Sequence, residues 1–350
     1  MNPNESSEVV VPEQPTAETE GPAQQSPLAR LAQGRLGDFW IVGVLAVLVL
    51  IFSVFGQGFV SQQGWLATSQ YTVITLLLAI GETLVIVAGG IDLSVGAILG
   101  FSAMGSAWLM QTLSNGGASS TVTVVLGTVF ALVLGAGAGL VNGILVTKAR
   151  LTPFIATLAT LSVFQGAQSL ISNGTDITNI PTWMGTVGAK SLGGWVPILV
   201  LIAVVLAVSG GWLLHRSRFG LRSYAIGSSR DAAERAGIRV NRHLMRVYVL
   251  SGVLAAVAGW SYLARFTDAS PVAGQGDELQ AIAAVVIGGA SLMGGKGSML
   301  GTVVGALIIS VLVTGLITLN VPTFWQEVAV GVILAGAVYA DQIRARLVAT

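Results

Sequence analysis

The chain has 350 residues, of which 53% are hydrophobic and only 9% charged, and its mean hydropathy is +0.79. Soluble globular domains carry about 25% charged residues, so this composition excludes a globule covered by water. A net charge of +1 gives no basic footprint for nucleic acid, and the absence of cysteine excludes disulfide and thiol chemistry. Short alternating segments of the kind that build a membrane β-barrel are missing. The reading that remains is an all-α polytopic membrane protein.

Residues 1–38 are rich in Pro, Glu, Ser and Gln and poor in aromatics. That is the composition of a disordered tail. No basic stretch runs directly into an apolar core, so it does not read as a signal peptide. A transmembrane domain follows over 39–346. Apolar runs near the length of about 20 residues that a bilayer demands place ten spans, at about 40–58, 67–88, 92–112, 121–147, 153–172, 195–214, 247–264, 279–293, 298–318 and 325–342. Between the sixth and seventh spans lies a strongly polar segment, 215–246. It holds Arg216, Arg218, Arg222, Arg230, Arg235, Arg239, Arg242 and Arg246 against Asp231 and Glu234, and both histidines, His215 and His243. The positive-inside rule makes this segment cytoplasmic. Counting spans outward from it puts Arg30, Arg35, Lys148, Arg150, Arg344 and Arg346 inside as well, with both termini cytoplasmic. Lys190 and Arg265 are the exceptions on the outer side.

Small residues every four positions let helix backbones approach closely in lipid. Gly135, Gly139 and Gly143 form such a series, as do Gly297, Gly301 and Gly305 and the pair Gly96 and Gly100. These eight are expected to pack helices. A different signal is "VIVAGGIDLSVGAILG", residues 85–100, where a carboxylate stands in apolar sequence. From residue 36 to 146 the only acids are Asp38, Glu82 and Asp92, and there is no Lys or Arg. Asp92 can lie at a wet helix end, cap the third span, or line a pathway through the bundle. The Gly89–Gly90 pair before it and Ser94 after it read as a helix break followed by a cap. Irregular backbone at depth is tolerated only inside protein or beside water. Glu82 is a second buried acid with the same choices.

"GGASLMGGKGS" looks like a phosphate loop, but the pattern needs Gly at 290 and Ser or Thr at 297. The residues there are Ala290 and Gly297. No nucleophile elbow, zinc-protease motif or metal-ligand cluster occurs, so neither an ATP site nor an intramembrane enzyme is expected. Within the arginine-rich segment, "SSRDAAERAGI" reads as a short helix. Ser228 or Ser229 caps it, Asp231 and Glu234 lie in its first turns, and Gly237 ends it. Ala232, Ala233 and Ala236 leave a shallow face suited to a partner's groove. The plainer alternative is a charged anchor near anionic lipid.

Four stretches, "GETLVIVAGGIDLSVGAILG", "GLVNGILVTKARLTPFIATLAT", "FGLRSYAIGSSRDAAERAGI" and "ELQAIAAVVIGGASLMGGKGSMLGTVVGALI", resemble in order the permease subunit of bacterial ABC importers of the ribose/xylose/galactose type. The resemblance covers about 40–342. Ser229 stands where that family often has Asn. The resemblance implies a 5+5 inverted-repeat fold and a partner ABC ATPase that carries ATP and Mg, with no cofactor in this chain. It also implies a second permease copy and an extracellular or periplasmic sugar-binding protein. Ser229, Asp231, Ala232, Ala233, Glu234 and Gly237 would then form the coupling helix that meets the ATPase. Candidates for the break or the translocation path are Glu82, Gly89, Gly90, Asp92, Ser94, Asn142, Phe154 and Thr157. The implied cargo is a monosaccharide moved into the cytoplasm across the bacterial plasma membrane. A nucleoside or polyol importer of the same type, or an ion-coupled transporter, is the alternative.

The topology is testable because the chain lacks cysteine. Single cysteines at Ser217 and Ser229 should resist an impermeant thiol reagent in intact cells, and rapid labelling from outside would refute a cytoplasmic segment.

Overall fold

The computed structural model describes residues 36–349, so the tail expected over 1–38 lies outside them up to residue 35. In chain order the helices are α1 (Leu36–Phe55), α2 (Gln62–Val87), α3 (Val95–Asn115), α4 (Ser120–Thr147), α5 (Pro153–Ser172) and a short α6 (Thr182–Ala189). After a short hairpin come α7 (Ile198–Arg216), α8 (Arg218–Ser228), α9 (Arg230–Arg235), α10 (Val240–Phe266), α11 (Asp277–Ile287), α12 (Met299–Thr318) and α13 (Thr323–Ala349). The hairpin pairs β1 (Ser191–Leu192) with β2 (Val196–Pro197) antiparallel, Leu192 opposite Val196.

Local chemistry starts these helices. The Ser61, Ser119 and Ser298 hydroxyls accept from the backbone N–H of Gly64, Val122 and Gly301, which satisfies a donor the first turn leaves free. Pro153 opens α5 at a position where its missing N–H costs nothing.

Among the described residues six helices, α2, α4, α5, α7, α10 and α12, are long and apolar enough to cross a membrane by length and composition. Burial sorts them. In their most apolar stretches α2, α10 and α12 are 83%, 67% and 61% buried, whereas α4, α5 and α7 are 33%, 28% and 28%. The first three form the centre of the bundle. The others present valine- and leucine-rich faces outward, including Val125, Val133, Val163 and Val205.

The structure departs from the sequence expectation in several places. The predicted eighth span, 279–293, is an 11-residue helix ending at Ile287. At 1.5 Å per residue it covers about 16 Å, half of a hydrocarbon core of about 30 Å. Its apolar run continues into Gly288 and Gly289, and the positive φ of Gly289, +87°, ends the helix. The third span begins at Val95 rather than 92, because 90–94 is irregular. The seventh begins at Val240, not 247, which absorbs His243 into a helix. His243 is buried there, with Nε2 2.8 Å from the Ser223 hydroxyl. His215 belongs to α7, where Nε2 accepts from the Met299 N–H at 3.3 Å. The histidines are therefore structural joints rather than parts of a polar loop.

The glycine series behave differently from one another. α4 lies against α10 so closely that a Cβ on Gly135 would strike the Gly252 carbonyl, and one on Gly139 the Tyr248 carbonyl. A Cβ on Gly143 would come 3.1 Å from the Cα of Met245. Gly96 meets the Gly274 carbonyl and Gly100 the Ala273 carbonyl, while Gly301 and Gly305 meet those of Gly288 and Ala284. Gly297 is a correction: it precedes α12, has φ +155°, and belongs to the loop rather than to a helix-packing stripe.

Gly139→Leu and Gly301→Leu should each lower the yield and melting temperature of the detergent-extracted protein, since backbone cannot move aside as a side chain can. Overpacking a close site costs about 1–3 kcal/mol or more. Gly137 has nothing within 4 Å of its Cβ position, so Gly137→Leu should be tolerated and serves as the internal control.

Candidate functional site

The break between α2 and α3 is where polar chemistry concentrates. α2 ends at Val87, and Gly89, with φ +84°, turns the chain in a conformation that residues with a side chain rarely adopt. Its N–H bonds the Ile86 carbonyl at 2.9 Å and that of Gly90 bonds Val85 at 3.0 Å. Residues 90–94 then run without helix, and side chains from four helices take up the backbone and the acids.

Asp92 Oδ1 accepts from the Ser94 N–H at 3.0 Å and the Ser94 hydroxyl at 2.6 Å, a side-chain turn two residues long. Asn142 on α4 donates to Ser94 Oγ at 2.7 Å and lies 3.4 Å from Asp92 Oδ1. Thr160 on α5 in turn donates to Asn142 Oδ1 at 2.6 Å. Thr157, one turn earlier, accepts from the Leu93 N–H at 3.2 Å and lies 3.1 Å from the Ile91 carbonyl. Glu82 on α2 accepts the Asp92 N–H at 3.1 Å, and the Ser251 hydroxyl on α10 reaches Asp92 Oδ2 at 3.5 Å. Glu82, Asp92, Ser94, Asn142 and Thr157 are all 0% exposed.

Two carboxylates thus sit in the interior, and the single ion pair among the described residues, Arg230–Glu234, is elsewhere. The cost of burying them is offset by donors, of which Asp92 receives most. Glu82 Oε2 and the Tyr248 hydroxyl have no partner. Among the described residues no group of three or more His, Cys, Asp or Glu could hold a metal.

The structure therefore brings together Glu82, Gly90, Asp92, Ser94, Asn142 and Thr157 from the predicted set. Phe154 is 51% exposed and lies outside the cluster. Asp92 is not itself the cap of α3, a position held by Ser94, whose hydroxyl is turned back to Asp92. Sequence reading missed Thr160, Tyr248 and Ser251. Thr157 and Thr160 are three residues apart on one face of α5, and that spacing was the available signal.

The arginine-rich segment runs from the end of α7 through α8 and α9 into the first turns of α10, and all eight arginines are exposed. Ser229 caps α9, accepting from the Ala232 N–H at 3.3 Å, and Gly237, at φ +80°, follows its end. One expectation is overturned: Ala233 is 3% exposed and faces the core, so the open small-residue face consists of Ala232, Ala236 and Gly237. α8, which the sequence reading missed, rests on the break. A Cβ on Gly227 would collide with the Val87 carbonyl, and the Gly295 N–H bonds that same carbonyl at 3.0 Å. Tyr224 on α8 donates to the Gly297 carbonyl at 2.8 Å, and burial raises the pKa of its hydroxyl. A cavity of about 280 Å³ lies between these elements, lined by Gly89, Gly90, Pro153, Gly227, Ser229 and Tyr248 among others.

A model of the family described as "Branched-chain amino acid transport system / permease component" matches residues 64–338. The chain belongs to this permease family. It is accordingly a transport component rather than an enzyme, and an integral inner-membrane protein. It is 40% identical over 299 residues to the ribose import permease protein RbsC of Bacillus subtilis (strain 168), covering 85% of this chain and 90% of that one. It is 36% identical over 312 residues to the D-allose transport system permease protein AlsC of Escherichia coli (strain K12), with 87% and 93% covered. With the xylose transport system permease protein XylH of Haemophilus influenzae it shares 34% over 362 residues, covering 85% and 94%. No solved structure matches the chain.

Two variants separate hydrogen bonding from charge at the break. Asp92→Asn keeps an oxygen for the Ser94 and Asn142 donors and should retain the fold and much of the transport. Asp92→Leu strands those donors at about 1–3 kcal/mol each and should lower the melting temperature and abolish transport. Equal damage from both would show that the negative charge itself is required.

Proposed function

We propose that this chain is the membrane-spanning subunit of an ATP-driven importer that carries a monosaccharide into the cytoplasm. The observation that carries the reading is the likeness, along 85% or more of the chain, to permeases named for ribose, allose and xylose. The family description names branched-chain amino acids, which makes leucine the natural competitor in a test.

ATP and Mg²⁺ belong to a separate ATPase subunit that docks on the cytoplasmic face, and a soluble sugar-binding protein delivers cargo from outside. A second copy of this chain completes the path. The exposed arginines of 215–246 support a cytoplasmic position for α8 and α9 and cytoplasmic termini. The membrane domain is read as ten membrane segments in a 5+5 arrangement. Setting aside the short α6, α8 and α9, five helices precede the connection 173–197 and five follow it. α9 is the coupling helix. ATPase closure moves it, α8 follows, and the contact of Gly227 with Val87 and Gly295 passes the motion to the break that holds Glu82 and Asp92. The buried cluster of Asp92, Ser94, Asn142 and Thr157 shapes that break, and Gly89 lets it turn.

Proteoliposomes containing this chain, its ATPase and its binding protein should take up D-ribose, D-xylose or D-allose only with ATP inside, and should not take up leucine. Uptake of leucine but no sugar would refute the reading. Ala232→Trp should weaken ATPase co-purification and sugar-stimulated hydrolysis by about tenfold, in the range of a truncated interface anchor, with normal insertion. Ala233→Trp should instead reduce yield, because it overfills the core.

A further inference from the structure

Arg265 broke the charge rule in the sequence, and nothing in the break or the coupling segment uses it. The structure places it at the far end of α10, beside a cavity of about 230 Å³. At about 30 Å³ per water molecule this holds several waters or one small polyhydroxylated molecule. Tyr71, Tyr262 and Phe266 give it aromatic walls, and Arg265 and Asp277 give it opposite charges. The Arg265 guanidinium lies 5.9 Å from the centre of the Tyr71 ring and 4.7 Å from that of Phe266. Those rings fix it in place, yet among the described residues it makes no ion pair and no hydrogen bond. Five N–H donors on a planar, half-buried group are left unspent.

Opposite it, Asp277 is held by a relay. Tyr71 donates to Gln280 Oε1 at 2.7 Å, and Gln280 Nε2 donates to Asp277 Oδ1 at 3.4 Å. Gln280 is thus a positioning residue, and Asp277 keeps acceptor capacity for a ligand. The pocket is distinct from the break. Tyr71 precedes Glu82 by eleven residues of α2, about 16 Å along the helix. By the topology argued above it opens on the outer side.

Resting on the importer reading, we infer that this pocket, formed by Tyr71, Tyr262, Arg265, Phe266 and Asp277, is a recognition site for the incoming neutral sugar. A sugar hydroxyl both donates and accepts, so one can donate a hydrogen bond to Asp277 while a neighbouring hydroxyl accepts one from Arg265. The C–H face of the ring packs on the aromatic walls, the usual division of labour in a small-molecule site. A guanidinium and a carboxylate together cancel in charge, which suits an uncharged ligand over an anion. A site that hydrogen-bonds hydroxyls also rejects analogues that lack them.

The absence of cysteine supplies the experiment. Val272 and Gln275 line the cavity and are exposed, so Val272→Cys and Gln275→Cys in the assembled importer report on it. Thr182→Cys on the exposed surface of α6 is the reference. D-ribose, D-xylose or D-allose should slow alkylation at 272 and 275 about fivefold at about four times its dissociation constant, and leave position 182 unchanged. Adding Arg265→Gln, or Tyr71→Phe, which keeps the ring but cuts the relay, should remove the protection. Equal labelling rates with and without all three sugars would overturn the pocket, and so would protection that survives both variants. Uptake by the wild-type proteoliposomes is read separately. Uptake without protection refutes only this site, whereas absence of sugar uptake refutes the importer reading.

Discussion

The structure depends on one constraint: backbone that leaves a helix inside this bundle must find its hydrogen-bond partners within the protein. At 90–94 five residues of irregular backbone join α2 to α3. Each unpaired backbone group there would cost several kcal/mol in an apolar surrounding. The chain meets this with side chains aimed from four helices. Glu82 takes the Asp92 N–H, Asp92 takes that of Ser94, and Thr157 serves both Leu93 and Ile91. α2, α4, α5 and α10 cannot be rearranged independently, because each carries a member of the same network. The positions of α3 and of everything packed on it follow from that arrangement.

Close backbone approach is the second consequence. Polar side chains as short as Ser, Thr and Asn reach one another only if the helices that bear them lie close. The α4–α10 contact at Gly135, Gly139 and Gly252 brings Asn142 within reach of Ser94 and sets Ser251 beside Asp92. Glycine packing and the polar network are therefore one device. The outer faces of α4, α5 and α7 carry large exposed apolar residues and have no such demands.

What could be read from the sequence follows from whether the signal is local. The break at Gly89–Gly90, the Ser229 cap and the apolar spans are written in neighbouring residues, and the structure places them near where periodicity and capping chemistry put them. The inward turn of Ala233 is not local. It depends on how α9 lies on α8 and α10, and a six-residue helix is too short to show a burial pattern. The shortness of α11 was hidden because its apolar composition runs past the point where Gly289 ends the helix. Arg265 looked like a topological exception, since only the fold reveals the rings of Tyr71 and Phe266 beneath it. The convergence of Asn142 and Ser251 on Asp92, with Thr160 bonded behind Asn142, joins residues far apart in the chain, which no window along the sequence can detect.

The junction of Gly227, Val87 and Gly295 is built from main chain on main chain. No rotamer is available there to take up slack, so a displacement of α8 cannot be lost in side-chain rearrangement before it reaches the end of α2. The same feature shapes how this protein can change over generations. Every single substitution at Gly227 adds at least a Cβ, so no mild variant of that position exists. Valines on the outer face can be exchanged for leucine or isoleucine at little cost. The tolerance of the chain thus runs from permissive at its rim to very small where backbone meets backbone, as at the point where α8 meets the end of α2. Two homologous chains could be recombined at their lipid-facing surfaces far more readily than across that point.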